Sequence, residues 1–260
     1  SSTAEGLAVA HEIRSISQVG TSEPFELQVS RGQVPGHRAI FRSAYSKQLE
    51  VGETYAIWNL ARGYTFPSSA SLMTLSSDSA SDVGIAVLIL GLDADYVEIQ
   101  EVVVLNGQSA VSTTNSYLRI NDLLVVSGDA VGSIYIGTGA VSGGVPTNVY
   151  NFIFASDNAS MTAVYTVPAG HSLYIKGGSI SAFTENTNKS VTVDFYISNS
   201  VRYRVASILS VSGFQHYPYD PPNRIPEKTD VFDLATTDDN QLAEAVVNLS
   251  GILVKEEGPL

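Results

Sequence analysis

The sequence predicts an all-β protein: two tandem antiparallel β-sandwich domains, Ig-like or jelly-roll-like, behind an extended N-terminal segment. Three observations lead there. Short β-favouring runs separated by Gly, Pro, Asn, Asp and Ser recur throughout the 260 residues. No segment sustains the 3.6-residue period of an amphipathic helix. The polar share is hydroxylated rather than ionic, with 33 Ser and 17 Thr but only 15% charged residues where about 25% is usual. The expected division is a docking segment over 1–55, a first sandwich over 56–140 and a second over 141–260.

The elements are taken in chain order. From Leu27 to Leu49 no acidic residue occurs, while Arg31, Arg38, Arg42 and Lys47 stand among Gly32, Pro35, Gly36, Phe41 and Tyr45. One reading is a strand with exposed basic side chains. The other is a docking surface for an acidic partner or for the chain's own acidic part. Nucleic-acid binding ranks behind both, because four charges are few for a phosphate backbone. Arg31, Arg38 and Arg42 are the partner-binding candidates of this segment.

Ile85–Leu90 and Val97–Leu105 read as a hairpin around Gly91, Leu92, Asp93, Ala94 and Asp95. Tyr117–Val126 and Ser133–Ile136 supply further strands and end the first sandwich near residue 140. Residues 137–146 are the most glycine-rich of the chain and read as an interdomain linker or a long loop. Seven strands then succeed one another: Tyr150–Ala155, Thr162–Val167, Ser172–Lys176, Val191–Ser198, Arg202–Val211, Val231–Ala235 and Ala245–Val254. In Val191–Ile197 the alternation is clearest, with Val191, Val193, Phe195 and Ile197 on the core face. Residues 215–228 carry Pro218, Pro221, Pro222 and Pro226, so they cannot form a central strand. They read as an ordered loop or an edge-covering segment, and Tyr217 and Tyr219 within them are further partner-binding candidates.

Composition also excludes function classes. With no cysteine there is no disulfide scaffold, thiolate metal site, iron–sulfur cluster or cysteine nucleophile. No apolar run approaches a membrane span, and the first 30 residues lack the pattern of a signal peptide, so neither membrane insertion nor secretion is expected. A net charge of -12 disfavours nucleic acid and anionic membranes as partners. Residues 1–64 are charge-balanced and the remainder holds all of the excess, so the two parts face different surroundings.

Chemistry-bearing residues are scattered. His11, His37, His171 and His216 show no metal-ligand spacing, and no cofactor is expected. Asp93, Asp95, Glu98 and Glu101 could be imagined as a calcium loop or the carboxylate pair of a glycan depolymerase, but they suit a turn and a solvated strand face better. Asp238, Asp239 and Asn240 read as a loop tip. The N-x-S/T sequences at Asn158, Asn188 and Asn248 are what a Ser- and Thr-rich chain yields by chance. No enzyme activity is expected.

The ordered blocks RGQVPGH (31–37), IWNLARGYTFPSSA (57–70), GLDADYVEIQEVVVLNGQSAVSTTNSYLRIN (91–121), AVYTVPAGHSLYI (163–175) and EKTDVFDLATT (227–237) resemble a family of structural proteins from tailed bacteriophages of marine and cyanobacterial hosts. The sequence departs from that pattern at Leu60, Ala61 and Arg62, where a Gly-rich stretch is usual. The resemblance implies a virion component made in the bacterial host cytoplasm, without catalytic or metal-binding residues. Its expected role is a capsid decoration or cement protein that binds the major capsid protein or neighbouring virion proteins as a homo-oligomer, a trimer being the guess. The alternative is a tail, neck or fibre-associated protein contacting a host surface glycan.

Overall fold

The computed structural model describes residues 23–256 apart from 47, 59, 61–62, 187, 200 and 211–212. His11, Lys47, Ala61, Arg62 and Val211, named above, lie outside the described residues.

The described chain is all-β apart from one short helix, α1 (Phe25–Ser30). The strands are β1 (His37–Ser46), β2 (Tyr55–Ala56), β3 (Ser71–Ser77), β4 (Val83–Leu92), β5 (Glu98–Asn106), β6 (Val111–Tyr117), β7 (Arg119–Ser127), β8 (Ile134–Ser142) and β9 (Val145–Ile153). After them come β10 (Tyr165–Thr166), β11 (His171–Thr184), β12 (Val191–Asn199), β13 (Val201–Ser210), β14 (Gly213–Ile225), β15 (Asp230–Thr237) and β16 (Ala243–Lys255). They form four antiparallel sheets. Sheet I has the order β1-β16-β11-β14, and sheet II the order β10-β15-β12-β13 with β2 also paired to β15. Sheet III runs β6-β3-β8-β9 and sheet IV β5-β4-β7.

Sheet membership divides the chain in a way the sequence did not announce. Sheets III and IV use only residues 71–153, here called the inner unit. Sheets I and II use residues 37–56 together with 165–255, the outer unit. Within the inner unit one core unites Met73 and Leu75 of β3 and Ile134 and Ile136 of β8 with Val87 and Ile89 of β4 and Leu123 of β7. Within the outer unit Ala44, Ile180 and Val247 of sheet I meet Val193 and Ala235 of sheet II, while Leu173, Ile225 and Leu249 meet Phe195 and Val231. Each core therefore draws side chains from two sheets, as one-sided hydrophobic strands require.

Three expectations change. The glycine-rich residues 137–146 are neither linker nor loop but the closing part of the β8–β9 hairpin, and the boundary at 140 falls inside β8. The glycines serve close approach there. A Cβ on Gly137 would lie 1.9 Å from the Asn148 carbonyl oxygen, and one on Gly144, at φ +82°, would lie 1.8 Å from that of Ser77. Second, Tyr150–Ile153 belongs to sheet III rather than to the last domain. Third, the N-terminal segment is no detached extension: β1 pairs along its whole length with the last strand, from His37 opposite Val254 to Ser46 opposite Ala245.

One reading matches the structure and another holds in part. Val191, Val193 and Phe195 are buried on β12. The proline-bearing residues are excluded from a central strand as expected, but instead of a loop or an edge-covering segment they form most of β14, itself one of the two edge strands of sheet I, where missing N–H donors are tolerated. Its register against β11 jumps from Asn223 opposite Ile175 to Pro218 opposite Gly177, so the residues between bulge out of the ladder.

Candidate docking site

The five candidate residues do not share one surface. Arg31 comes directly after α1 and is ion-paired with Glu23. Arg38 and Arg42 lie four residues apart on β1, so strand alternation points both to the same side. They line one cleft of about 360 Å³ between β1 and the inner unit, together with Leu90, Glu98, Gln100 and Asp122. Each holds a carboxylate of its own chain across that cleft.

Arg42 is the more committed. Its side chain is only 8% exposed, and its guanidinium grips Asp122 with both terminal nitrogens, Nη2 donating to Oδ2 at 2.9 Å. Nη1 also donates to the Asn121 carbonyl at 3.3 Å, and the guanidinium carbon sits 4.5 Å from the centre of the Tyr165 ring. Arg38 pairs with Glu98 with its side chain 55% exposed. Burial works to lower the Arg38 guanidinium, but the Glu98 hydrogen bond and charge outweigh it and hold it above its ordinary value.

A third clamp, on β7, was not singled out from the sequence. Arg119 is buried and donates from Nε and Nη2 to the two oxygens of Asp230 on β15, at 2.8 and 2.9 Å. Its Nη1 donates to the carbonyls of Pro67 and Leu118 at 2.7 and 2.9 Å, and Thr166 Oγ1 donates to Asp230 Oδ1 at 2.6 Å. Beside it Asn121 exchanges two hydrogen bonds with the Thr166 backbone, both 3.0 Å. The available signal was an arginine opening a strand that continues through Ile120, Leu123 and Leu124, where a buried position would need a partner for the charge. Trp58, Tyr64, Phe66 and Phe232 form an aromatic seam nearby, with Val149 of the inner unit packed against it.

Tyr217 and Tyr219 are half-buried on β14, with ring centroids 6.1 Å apart edge to face, and pack against the two outer-unit cores. Burial raises both phenols, and the charge of Asp233 adds to it. Asp233 itself, on β15, is 2% exposed, and one of its oxygens has no hydrogen-bond partner within the described structure. Burial alone pushes its carboxyl up to about 7.

The remaining candidates hold local structure. Asp93 Oδ1 accepts from the Asp95 and Val97 amides at 2.9 Å, fixing the turn before β5. Glu101 accepts from the Thr114 amide and hydroxyl on β6. Asp238 accepts from the Ser190 amide, and Asp239 from the Asn186 and Gln241 amides. His37 and His171 each hold the carbonyl two residues earlier through Nδ1 at 2.9 Å, and both line a smaller hollow with Arg38 and Lys255. Among the described residues no group of three or more His, Cys, Asp or Glu is placed to hold a metal ion.

Comparison with known proteins adds little. No family model matches the chain, and no curated protein matches it. Among solved structures, the infectious bursal disease virus VP2 subviral particle is similar at a TM-score of 0.25 and 11% identity, covering 90% of this chain and 78% of that one. The Gx strain structure of the same virus gives 0.23 and 13%, covering 90% and 77%. Likeness at this level carries no argument about function.

Proposed function

We propose that this chain is a non-enzymatic structural component of a virus particle, a tailed-phage capsid decoration or cement protein made in the host cytoplasm. The two units are read as two β-sandwiches, the inner unit inserted between β2 and β10 of the outer one. The sequence blocks that resemble phage structural proteins support the virion placement. The observation that carries the structural role is where the arginines are used: Arg38, Arg42 and Arg119 each bind a carboxylate across the boundary between the units. Charged groups are thus spent on locking two β modules into one rigid body, which suits a part that must hold its shape while many copies each make a modest contact. The expected docking role of Arg31, Arg38 and Arg42 toward another protein loses its main support, because each is already paired. The tail or fibre alternative relied on Tyr217 and Tyr219 reaching a glycan, and their inward packing does not favour it.

Labelled imaging and quantitative mass spectrometry of purified particles test this reading. Hundreds of copies spread over the head are expected. A dozen or fewer at the tail, or absence from the particle, overturns it.

A further inference from the structure

Seven arginines lie among the described residues, and six of them hold a carboxylate of their own chain: Arg31, Arg38, Arg42, Arg119, Arg204 and Arg224. Arg202, near the start of β13, is paired with no carboxylate among the described residues. The chain has acid to spare, 26 Asp and Glu against 14 Lys and Arg, so a shortage of partners does not explain it. Aromatic rings hold Arg202 instead. Its guanidinium carbon sits 4.3 Å from the centre of the Tyr196 ring and 5.1 Å from that of Phe232. Those two rings stack 5.7 Å apart and 12° from parallel. Stacking occupies the flat face of a guanidinium and leaves the N–H groups in its plane free to donate.

Arg202 also lines a cavity of about 370 Å³, within the roughly 300–1,000 Å³ of a small-molecule site. Tyr64, Phe66 and Phe232 line it with Leu234, and Thr54 and Ser198 are its hydroxylated residues. Among the described residues no carboxylate lines it. The cleft of Arg38 and Arg42 is built the other way, with Glu98 and Asp122 answering its two charges. Arg119 reaches the same rings, 4.9 Å from the centre of Phe66, but its nitrogens are committed to Asp230 and to the carbonyls of Pro67 and Leu118. The Tyr64 hydroxyl is committed as well, donating to the Tyr150 carbonyl at 3.1 Å. Arg202 therefore supplies the one uncompensated charge of this cavity among the described residues.

We infer that this cavity binds a small molecule carrying one carboxylate on a flat, apolar ring, the carboxylate on Arg202 and the ring among Tyr64, Phe66 and Phe232. The lining selects each part of that ligand. One planar guanidinium matches one planar carboxylate through two parallel N–H···O bonds. A phosphate dianion would bring a second charge that nothing else in the cavity answers. The aromatic walls reward a ring-shaped body and give a bare anion nothing to pack against. The inference does not rest on the virion reading.

Titration of the full chain tests it, read by calorimetric heat and by the fluorescence of Trp58, whose ring lies edge to face 4.8 Å from Tyr64. Phenylacetate is the probe. Against it stand 2-phenylethanol, which keeps the ring without the charge, and acetate and inorganic phosphate, which keep a charge without the ring. Phenylacetate is expected to saturate with a Kd of about 1 mM or tighter, and each of the others to bind at least about tenfold more weakly. Arg202→Gln should weaken phenylacetate at least about tenfold. No carboxylate of the chain loses its partner in that variant, so its melting temperature should move by no more than about 4 °C. Four results overturn the proposal: no saturation by about 10 mM phenylacetate, 2-phenylethanol binding as tightly as the acid, acetate or phosphate doing so, or Arg202→Gln binding phenylacetate as tightly as the wild type.

Discussion

The inner unit is one uninterrupted stretch of chain, whereas the outer unit is made of two pieces that meet only when β1 finds β16. The inner unit closes within its own stretch: β4 pairs with β5 and β7, β8 with β9, and its longest reach is β3 to β8, with Thr74 opposite Gly137. The outer unit depends on a pairing between residues 37–46 and 243–255, about as non-local as the chain allows. Loop closure must be completed before such contacts reward it, so topology alone places the inner unit ahead in folding. The two also differ inside. The buried Asp82 of the inner unit accepts hydrogen bonds from the Ser77 hydroxyl and the Val131 and Gly132 amides, while the buried Asp233 of the outer unit has one oxygen with no partner within the described structure. The difference teaches that one chain can be locally simple in one part and globally closed in another, with arginines holding the two together.

The sharpest way to break the comparison is to cut the clamp. Arg119→Ala leaves Asp230 buried without its cation and should lower stability by about 3–5 kcal/mol in urea unfolding. The only tryptophan, Trp58, lies in the seam between the units and serves as the fluorescence reporter. Wild type is expected to unfold in one transition and Arg119→Ala in two. A single unchanged transition would show that the units are held by something else.

Core truncations sharpen the same contrast. Phe195→Ala in the outer unit should cost about 3–5 kcal/mol, and Leu123→Ala in the inner unit about 2–5 kcal/mol. Placed on the Arg119→Ala background, each should move only its own transition. If Phe195→Ala costs below about 0.5 kcal/mol, its burial on β12 is wrongly assigned.

Between pH 5 and pH 8 the response should come from the outer unit, because the lowered carboxyl of Asp82 in the inner unit takes up its proton only in stronger acid. The folded pKa of Asp233 is raised to about 7, above the roughly 3.9 of an unfolded aspartate. For a raised carboxyl the folded state binds the proton more tightly. Its contribution is therefore complete below about pH 4 and is lost as pH rises through 7, up to about 4 kcal/mol. On the Arg119→Ala background, calorimetry from pH 5 to pH 8 should show the outer transition falling, and Asp233→Asn should remove that part of the slope. An unchanged slope in the variant would trace the pH dependence to other groups.

The smallest effect belongs to Arg38→Ala. Its pair with Glu98 is half-exposed, so the loss should stay below about 1 kcal/mol and shrink in high salt. A larger, salt-insensitive loss would make Arg38 a clamp equal to Arg119.

How much of the fold is legible in the sequence depends on the quantity each signal measures. Alternation reports which face of a strand is buried, so Val191, Val193 and Phe195 can be placed from one strand alone. Proline reports a missing donor, so Pro218, Pro221 and Pro222 exclude a central strand, but they leave open whether the segment is a loop or, as β14 is, an edge strand. Pairing between distant strands leaves no mark in either, which is why β1 reads as an extension when only its own residues are considered. Glycine is ambiguous for a physical reason. The same lack of Cβ that makes a linker flexible lets Gly137 and Gly144 press against another strand's backbone. The basic segment is visible as charge, and one of its open readings, contact with the chain's own acidic part, is the geometry of Arg38 and Arg42. Their partners Glu98 and Asp122 lie far away in sequence and carry no local sign of the match.

The pairing of β1 with β16 has a mechanical consequence. His37 lies opposite Val254, so the chain enters β1 and leaves β16 at the same end of sheet I. Tension applied through the two flanking segments pulls across the strands, along the line of the inter-strand hydrogen bonds, which in an antiparallel pair lie perpendicular to the strands. The bonds then fail one after another like a zipper instead of sharing the load in shear. Under stretching the outer unit should peel open from this corner at low force. The inner unit, which feels no tension until the outer strands have parted, acts as the last link to yield.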